Sequence, residues 1–377
     1  MDLYLVTGPF YLFNALNLKL MENWKRPGVL VIAECFGNAR RYYEACCERR
    51  LFEDVELISE ADYRCADRQN LYLDQPCKLT LGVVKTLNLR FPGMRNRQFE
   101  GYRFMRRTYE RIFAAGVIPA FYYAVSQQLQ RHGAKLYYFD SGLAVRAKAT
   151  QWSKTRWQSI REKLGCTYLE NSVQGRYFYS PELVCIPLPY PMLRQRAPQC
   201  DQKELCSTLK AVYSYEESAD ELKKHRFLYL HGGYEVYPQL AAYAPADVRA
   251  ARLLADAQPD ALIKAHPVSG ERFEHSYDPG VPFEISSLFL DMEDKVLISG
   301  FSVALLNPMF LYHQQPWLIL LYRVFGMPTE LFMNMPEEEF LRALHKMLPY
   351  DDPSRIIIPG TWDEYEAAVR RLARTAQ

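Results

Sequence analysis

Two kinds of hydrophobic run alternate along this chain. The first is short and almost uninterrupted by polar residues, as a strand buried on both faces reads. Residues 3–7, 28–33, 55–58, 79–84 and 135–139 are of this kind in the first half. The second has apolar positions at three- and four-residue spacing and predicts helices. These cover residues 10–21, opened by the Gly8-Pro9 turn, then 38–50, then 99–132, which Gly116 and Pro119 break into two pieces. From 187 to 206 the periodicity is lost and Pro187, Pro189, Pro191 and Pro198 accumulate, which reads as a linker. The alternation then restarts. Strands are predicted at 226–230, around Ile263, at 295–298 and at 317–322, with helices at 246–257 and 301–312. A terminal helix from 361 to about Ala373 opens on Thr361-Trp362-Asp363-Glu364, which has capping-box spacing.

Strands that alternate with helices imply βαβ units and mostly parallel sheets. The expected fold class is α/β, GT-B-like, with two doubly wound, Rossmann-like domains facing a central cleft. The boundaries expected are 1–187 for an acceptor-side domain, 188–222 for a linker region and 223–360 for a donor-binding domain. A final helix, 361–377, is expected to pack back on the first domain. The length of 377 residues agrees, because it exceeds what one ordinary hydrophobic core serves.

Composition narrows the class. The 46 basic and 44 acidic residues leave a formal net charge of +2, so the chain is not a globally basic nucleic-acid binder. Nine scattered cysteines with no Cys-x-x-Cys suggest reduced thiols and a cytoplasmic location. The apolar start at residues 3–7 is too short for a signal-peptide core and lacks a basic lead-in. No run approaches the roughly 20 apolar residues of a membrane-spanning helix, so any membrane contact is expected to be peripheral.

Candidate chemistry gathers at predicted strand ends. Lys264-Ala265-His266-Pro267 closes the Ile263 strand, and in open α/β sheets ligands sit beyond the carboxyl ends of strands. Pro267 cannot donate to a ladder and biases His266 away from helix. Glu284, a lone acid in apolar surroundings, suits the two hydroxyls of a ribose, although a solvated glutamate reads the same way. Ser299-Gly300-Phe301-Ser302 turns from strand to helix and offers hydroxyls and free N–H groups to an anion, or an ordinary N-cap. His231-Gly232-Gly233 is a third strand-end turn, whose glycines admit a ligand close to the backbone. No P-loop and no Gly-x-Gly-x-x-Gly is present, and the acidic cluster Asp291, Glu293 and Asp294 lacks a nearby His or Cys, so no metal site is expected.

In the first half, Asp140-Ser141-Gly142 ends another strand. A carboxylate there suits removal of a proton from an acceptor hydroxyl, and an Asx-turn is the plainer alternative. Thr7, Gly8 and Asn14 mark the first strand–helix turn and would line the same cleft, unless Asn14 is a solvent-facing helix residue. Two basic, aromatic-rich stretches, 90–111 and 146–163 with Trp152 and Trp157, suit an anionic acceptor or membrane headgroups. A solvated helix face is the plainer reading of both.

In these residues the chain resembles the bacterial sialyltransferases of the lipooligosaccharide sialyltransferase and polysialyltransferase type. Val6-Thr7-Gly8-Pro9-Phe10-Tyr11-Leu12-Phe13-Asn14-Ala15 is similar to that family's first strand and helix. Asp140-Ser141-Gly142 is similar to its acidic-acidic-Gly motif, Lys264 to Pro267 to its His-Pro motif, and Ser299 to Ser302 to its Ser/Thr motif. Glu284 falls where the family places its ribose-binding acid. The resemblance implies a GT-B fold and inverting transfer from a CMP-sugar donor, without metal or cofactor, to a glycan or glycolipid acceptor. It implies Asp140 as general base, His266 as acid or electrostatic stabiliser at the departing phosphate, and Ser299 and Ser302 as phosphate holders. The family's second acid is Ser141 here, which is a departure at the acceptor side.

Rival expectations are a CMP-Kdo transferase and a transferase of the teichoic-acid type using CDP-glycerol. Of a different class are a catalytically idle scaffold, which Ser141 makes conceivable, and a membrane-surface adaptor using the basic stretches.

Overall fold

Val29, Val31 and Ile32 set β-branched side chains on both faces of β2 (Gly28–Ala33), and every residue of that strand is buried. The same logic forms β1 (Asp2–Val6) beside it, also buried throughout. The computed structural model describes residues 1–22, 24–70, 99–116, 119–140, 172–185, 187–266, 269–278 and 280–374. The strand expected at 79–84, the site residues Ser141, Gly142 and Pro267, and the basic stretch 146–163 lie outside the described residues. Two compact units contain, within the described residues, 1–140 with 172–181 and 188–196, and 182–187 with 197–374.

The first unit holds a seven-stranded sheet in the order β3-β2-β1-β4-β5-β6-β7. Its other strands are β3 (Asp54–Ile58), β4 (Arg111–Ala114), β5 (Lys135–Tyr138), β6 (Val173–Phe178) and β7 (Met192–Arg194). All pairs are parallel. Helices α1 (Pro9–Met21), α2 (Ala39–Arg49), α3 (Glu60–Asn70) and α4 (Tyr122–His132) follow β1, β2, β3 and β4 in the chain. Leu3, Leu5, Val31, Ile112 and Leu136 from the strands meet Phe99 and Phe121 in its core. After β3 the chain returns to the far side of β1. The sheet's switch point, where ligands of such folds bind, therefore lies at the carboxyl ends of β1 and β4.

The second unit repeats the plan with β8 (Phe227–Leu230), β9 (Leu262–Lys264), β10 (Val296–Ser299), β11 (Trp317–Leu320) and β12 (Ile356–Ile357). The order is β12-β11-β10-β8-β9, again all parallel. Its helices are α5 (Lys203–Tyr213), α6 (Ala244–Ala257), α7 (Phe283–Phe289), α8 (Asn307–Tyr312), α9 (Thr329–Met333), α10 (Glu337–Met347) and α11 (Trp362–Arg374). Here the direction reverses between β8 and β10. The α/β class with two Rossmann-like sheets is thus what the chain adopts. Among the described residues no helix is long and apolar enough to cross a membrane, and seven cysteines are free thiols.

Several expectations change. The helix pair at 99–132 is instead a short 3-10 turn, Arg103–Arg106, then β4, then α4. Ile112-Phe113-Ala114 is apolar on both faces because β4 is internal to the sheet, and so short a run has no period that separates strand from helix. The segment at 188–222, expected as a linker, carries the edge strand β7 and helix α5, whose Leu205, Leu209 and Val212 are buried. The terminal helix, expected to return to the first domain, belongs to the second unit's own core. Its Tyr365, Val369 and Leu372 are buried there, and the Tyr365 hydroxyl donates to the Ala250 carbonyl of α6 at 3.1 Å.

In the described part of the first basic stretch three arginines are held in ion pairs, while Arg106 is exposed. Arg103 and Arg107 both bind the buried Asp54, at 2.7 and 2.8 Å, and Arg111 binds the fully buried Asp2. Asp2 and Arg111 are register partners at the amino ends of β1 and β4, the edge opposite to where a doubly wound sheet binds ligands.

Candidate functional site

In the second unit the turns after β8 and β10 meet on one tyrosine, and His266 past β9 abuts the first of them. The turn after β8 is His231-Gly232-Gly233, and Tyr234 follows it. A Cβ on Gly232 would stand 2.5 Å from the Tyr234 ring, and one on Gly300, just past β10, would stand 2.5 Å from its hydroxyl. Phe301 N–H donates to that hydroxyl at 2.9 Å. Gly233 has φ +60° and lies so near His266 that a Cβ would come within 2.7 Å of the imidazole. The structure therefore brings together Gly232, Gly233, His266 and the start of the Ser299–Ser302 turn at the switch point of β8 and β10. Gly233→Ala is expected to destabilise by about 1–3 kcal/mol from backbone strain, and further from the clash. Gly133→Ala supplies the strain alone, because φ is +66° there with nothing within 4 Å. Urea melts of both variants check this, and equal losses would show that His266 yields freely.

Ser299 closes β10 fully buried, and its hydroxyl has no hydrogen-bond partner among the described residues. A buried, unpaired hydroxyl at a strand's carboxyl end is a group waiting for an acceptor or donor. Ser302 behaves differently, since its hydroxyl accepts the Ala304 N–H at 3.3 Å. The helix expected to start at 301 is α8, which begins only at Asn307, so the turn opens a 3-10 segment, Val303–Leu305. An extended serine-and-glycine turn cannot hold 3.6-residue geometry until Leu306 and Asn307 pack.

His266 is half-buried beside Tyr237, their rings edge to face at 6.1 Å. Burial and the fields of His231 and Lys264 hold its pKa below the ordinary histidine value, against the opposing field of Glu235. Sequence reading missed what supports it. His231 is completely buried, with Nε2 3.3 Å from Asp247 Oδ2 of α6, and its own N–H donates to the Lys264 carbonyl at 3.0 Å. Asp247 also accepts the Gly232 N–H at 2.7 Å and the Tyr229 hydroxyl, which pins the glycine turn. Burial pushes the Asp247 carboxyl up, while His231 and these donors pull it down. The only sequence signal for Asp247 was an acid in the first turn of an otherwise alanine- and leucine-rich helix.

Lys264 and Glu284 lie within each other's electrostatic field. Glu284 lies in the first turn of α7, where it accepts from Asn307 Nδ2, while its carbonyl accepts the Tyr312 hydroxyl at 2.9 Å. Burial raises its pKa, and the backbone, Lys264 and Asn307 counter this. Burial lowers that of Lys264, and Asp278, Glu284 and Asp220 counter it. A buried carboxyl so placed is a hydrogen-bonding group suited to hydroxyls.

In the first unit Asp140 lies two residues beyond β5 and is buried. Asn14 is fully buried and does not face solvent. Its Nδ2 donates to the Asp140 carbonyl at 3.1 Å, its Oδ1 accepts the Tyr179 hydroxyl at 2.6 Å, and its carbonyl accepts from Gln195 at 3.2 Å. It therefore holds the strand end that carries Asp140. Asn14→Ala is expected to cost about 2–3 kcal/mol by stranding buried groups, read as a lower denaturation midpoint at unchanged slope. Thr7 and Gly8 are half-buried at the carboxyl end of β1, and Gly8 is the extended N-cap of α1. Arg176 of β6, also missed, has its guanidinium field on Tyr11 and Asp140 helps to keep it charged.

Taken as a class, the chain is a protein of two doubly wound α/β units, each with polar residues at its strand ends, the second with a turn set suited to a nucleotide phosphate. No family model matches the chain, and no curated protein matches it. Among solved structures it is similar to Arabidopsis thaliana UGT89C1 complexed with UDP, at 11% identity and a TM-score of 0.43, over 98% of this chain and 94% of that one. It is similar also to the same protein complexed with UDP-L-rhamnose, at 10% identity and a TM-score of 0.40, over 100% of this chain and 94% of that one.

Proposed function

We propose that this protein is an inverting, metal-independent glycosyltransferase that moves sialic acid or a related acidic sugar from a CMP-sugar to a glycan or glycolipid acceptor. The observation that carries the reading is the meeting of the β8, β9 and β10 turns around Tyr234 and His266, at the switch point where a doubly wound unit takes its nucleotide. In this reading the unpaired Ser299 hydroxyl and the N–H groups of the Gly300 turn receive the donor phosphate, with Ser302 at the rim. Gly232 and Gly233 leave room for it, and Pro267 is assigned to the same donor side. Glu284, with Lys264 beside it, takes the ribose hydroxyls. His266 stabilises the departing CMP phosphate, by proton or by hydrogen bond.

Asp140 removes the acceptor proton as the hydroxyl attacks the anomeric carbon, and the bond to the phosphate breaks on the opposite face. Thr7, Gly8, Ser141 and Gly142 belong to the acceptor side, and Asn14 acts by holding Asp140. The reading includes a cytoplasmic location with peripheral contact at the inner membrane, and no nucleic-acid partner.

The test is a donor panel of CMP-Neu5Ac, CMP-Kdo, CDP-glycerol and UDP-sugars, with nucleotide release followed for each. Release from CMP-Neu5Ac supports the proposal, and release only from another donor assigns the site to that donor. Turnover is expected to persist unchanged in EDTA, and a loss restored by a divalent cation would overturn the metal-independent mechanism.

A further inference from the structure

Arg176 stands apart from the chain's other buried charges. It lies on β6 with 4% of its surface exposed, opposite Tyr138, the last residue of β5. Its Nη2 reaches the carbonyl of Ala115, just past β4, at 3.4 Å, and its Nε has no hydrogen-bond partner. The guanidinium thus spans the carboxyl ends of β4, β5 and β6, on the ligand-binding edge of the first sheet. Its neighbours are rings, with the Tyr138 centroid at 4.8 Å and that of Tyr190 at 5.6 Å. Arg103, Arg107 and Arg111 each close an ion pair with a buried aspartate, but among the described residues no carboxylate pairs with Arg176.

A guanidinium does not shed its proton inside a protein, so this is a buried positive charge whose Nε has no partner among the described residues. Two ring faces offset part of its desolvation, but they leave the Nε donor unfilled. The fields of Tyr190, Tyr138, Asp140 and Tyr11 act on it against burial. A buried guanidinium whose Nε has no partner among the described residues, and whose Nη2 makes one long bond, has donors left for an anion.

We propose that Arg176 anchors an anion subsite at the carboxyl edge of the first sheet, which takes a carboxylate or phosphate carried by the acceptor or by the sugar being transferred. The source of the anion rests on the glycosyltransferase reading, whereas the subsite itself does not.

The experiment measures binding of inorganic phosphate and of free N-acetylneuraminic acid to the full chain. Calorimetry and thermal shift are used at constant ionic strength against chloride, with CMP saturating to block the nucleotide site. Wild type is expected to bind at least one of the two saturably. Arg176→Met is expected to lose that binding, and Arg176→Lys to weaken it at least tenfold, because an ammonium cannot replace the planar fork. If the methionine variant does not fold, the lysine variant decides. Wild-type behaviour in Arg176→Lys, or no saturable response in wild type beyond that to chloride, overturns the subsite.

Kinetics then distinguish the sources. A tenfold rise of KM in Arg176→Lys for a sialylated acceptor but not a neutral one places the anion on the acceptor. A rise for the CMP-sugar, with inhibition by CMP unchanged, places it on the transferred sugar. Arg176-dependent anion binding without turnover of any donor upholds the subsite and rejects the transferase reading.

Discussion

His266→Ala is expected to lower turnover of the CMP-sugar by roughly 10²–10⁴-fold, the usual worth of one positioned proton donor. CMP should still bind within an order of magnitude of wild type, because the Ser299 turn, Glu284 and Lys264 remain. The pH profile identifies the role. Burial and the neighbouring positive groups depress the His266 pKa, so in the free protein the imidazolium is lost as pH rises through a value below 6.5. An acid donor therefore makes kcat/KM fall with rising pH across that value. A bound phosphate favours the imidazolium, which moves the same limb in kcat to higher pH. His266→Ala should flatten both limbs. A folded variant that keeps the wild-type rate would sink the assignment and leave the idle-scaffold reading standing.

Asp140→Asn is the second large effect, again roughly 10²–10⁴-fold in kcat, with CMP binding unchanged. Asparagine has the shape of aspartate, and the contact from Asn14 is to the backbone carbonyl of residue 140, so the substitution spares that support. What it removes is the carboxylate that the proposed mechanism uses as base. The informative control is Asn14→Ala, which leaves the carboxylate but frees the strand end. It should lower stability, and lower kcat less than Asp140→Asn does. Full turnover by a well-folded Asp140→Asn protein would exclude Asp140 as the base.

How far the site could be read from sequence depended on whether its signal was local. The strand-end positions of His266, Asp140 and Ser299 were legible because each follows or closes a short apolar run. Asn14 was legible as a position but not as a role, because its three partners come from residues 140, 179 and 195. Asp247 and Arg176 were missed for the same reason. Nothing around Asp247 in sequence indicates His231, and nothing around Arg176 indicates Ala115 or Tyr138. The fold followed the same division. The β2 run, 28–33, was expected at the bounds it has, whereas β4 was hidden in an expected helix and β7 in an expected linker.

The apolar run that ends in Lys264-Ala265-His266 keeps its place at a strand end. By itself the sequence determined that two series of βα elements follow one another, and which polar residues each strand delivers at its carboxyl end. It could do so because strand and helix periods, breakers and caps are set within a few residues. Only the tertiary structure decided the order of strands, and with it which ends lie side by side. It placed β8 between β9 and β10, so that Gly233 abuts His266 and Gly232 and Gly300 share Tyr234. Among the described residues it also left Arg176 buried without a carboxylate and the Ser299 hydroxyl without a partner. Sheet order and burial arise from joining segments far apart in the chain, and no local period records them.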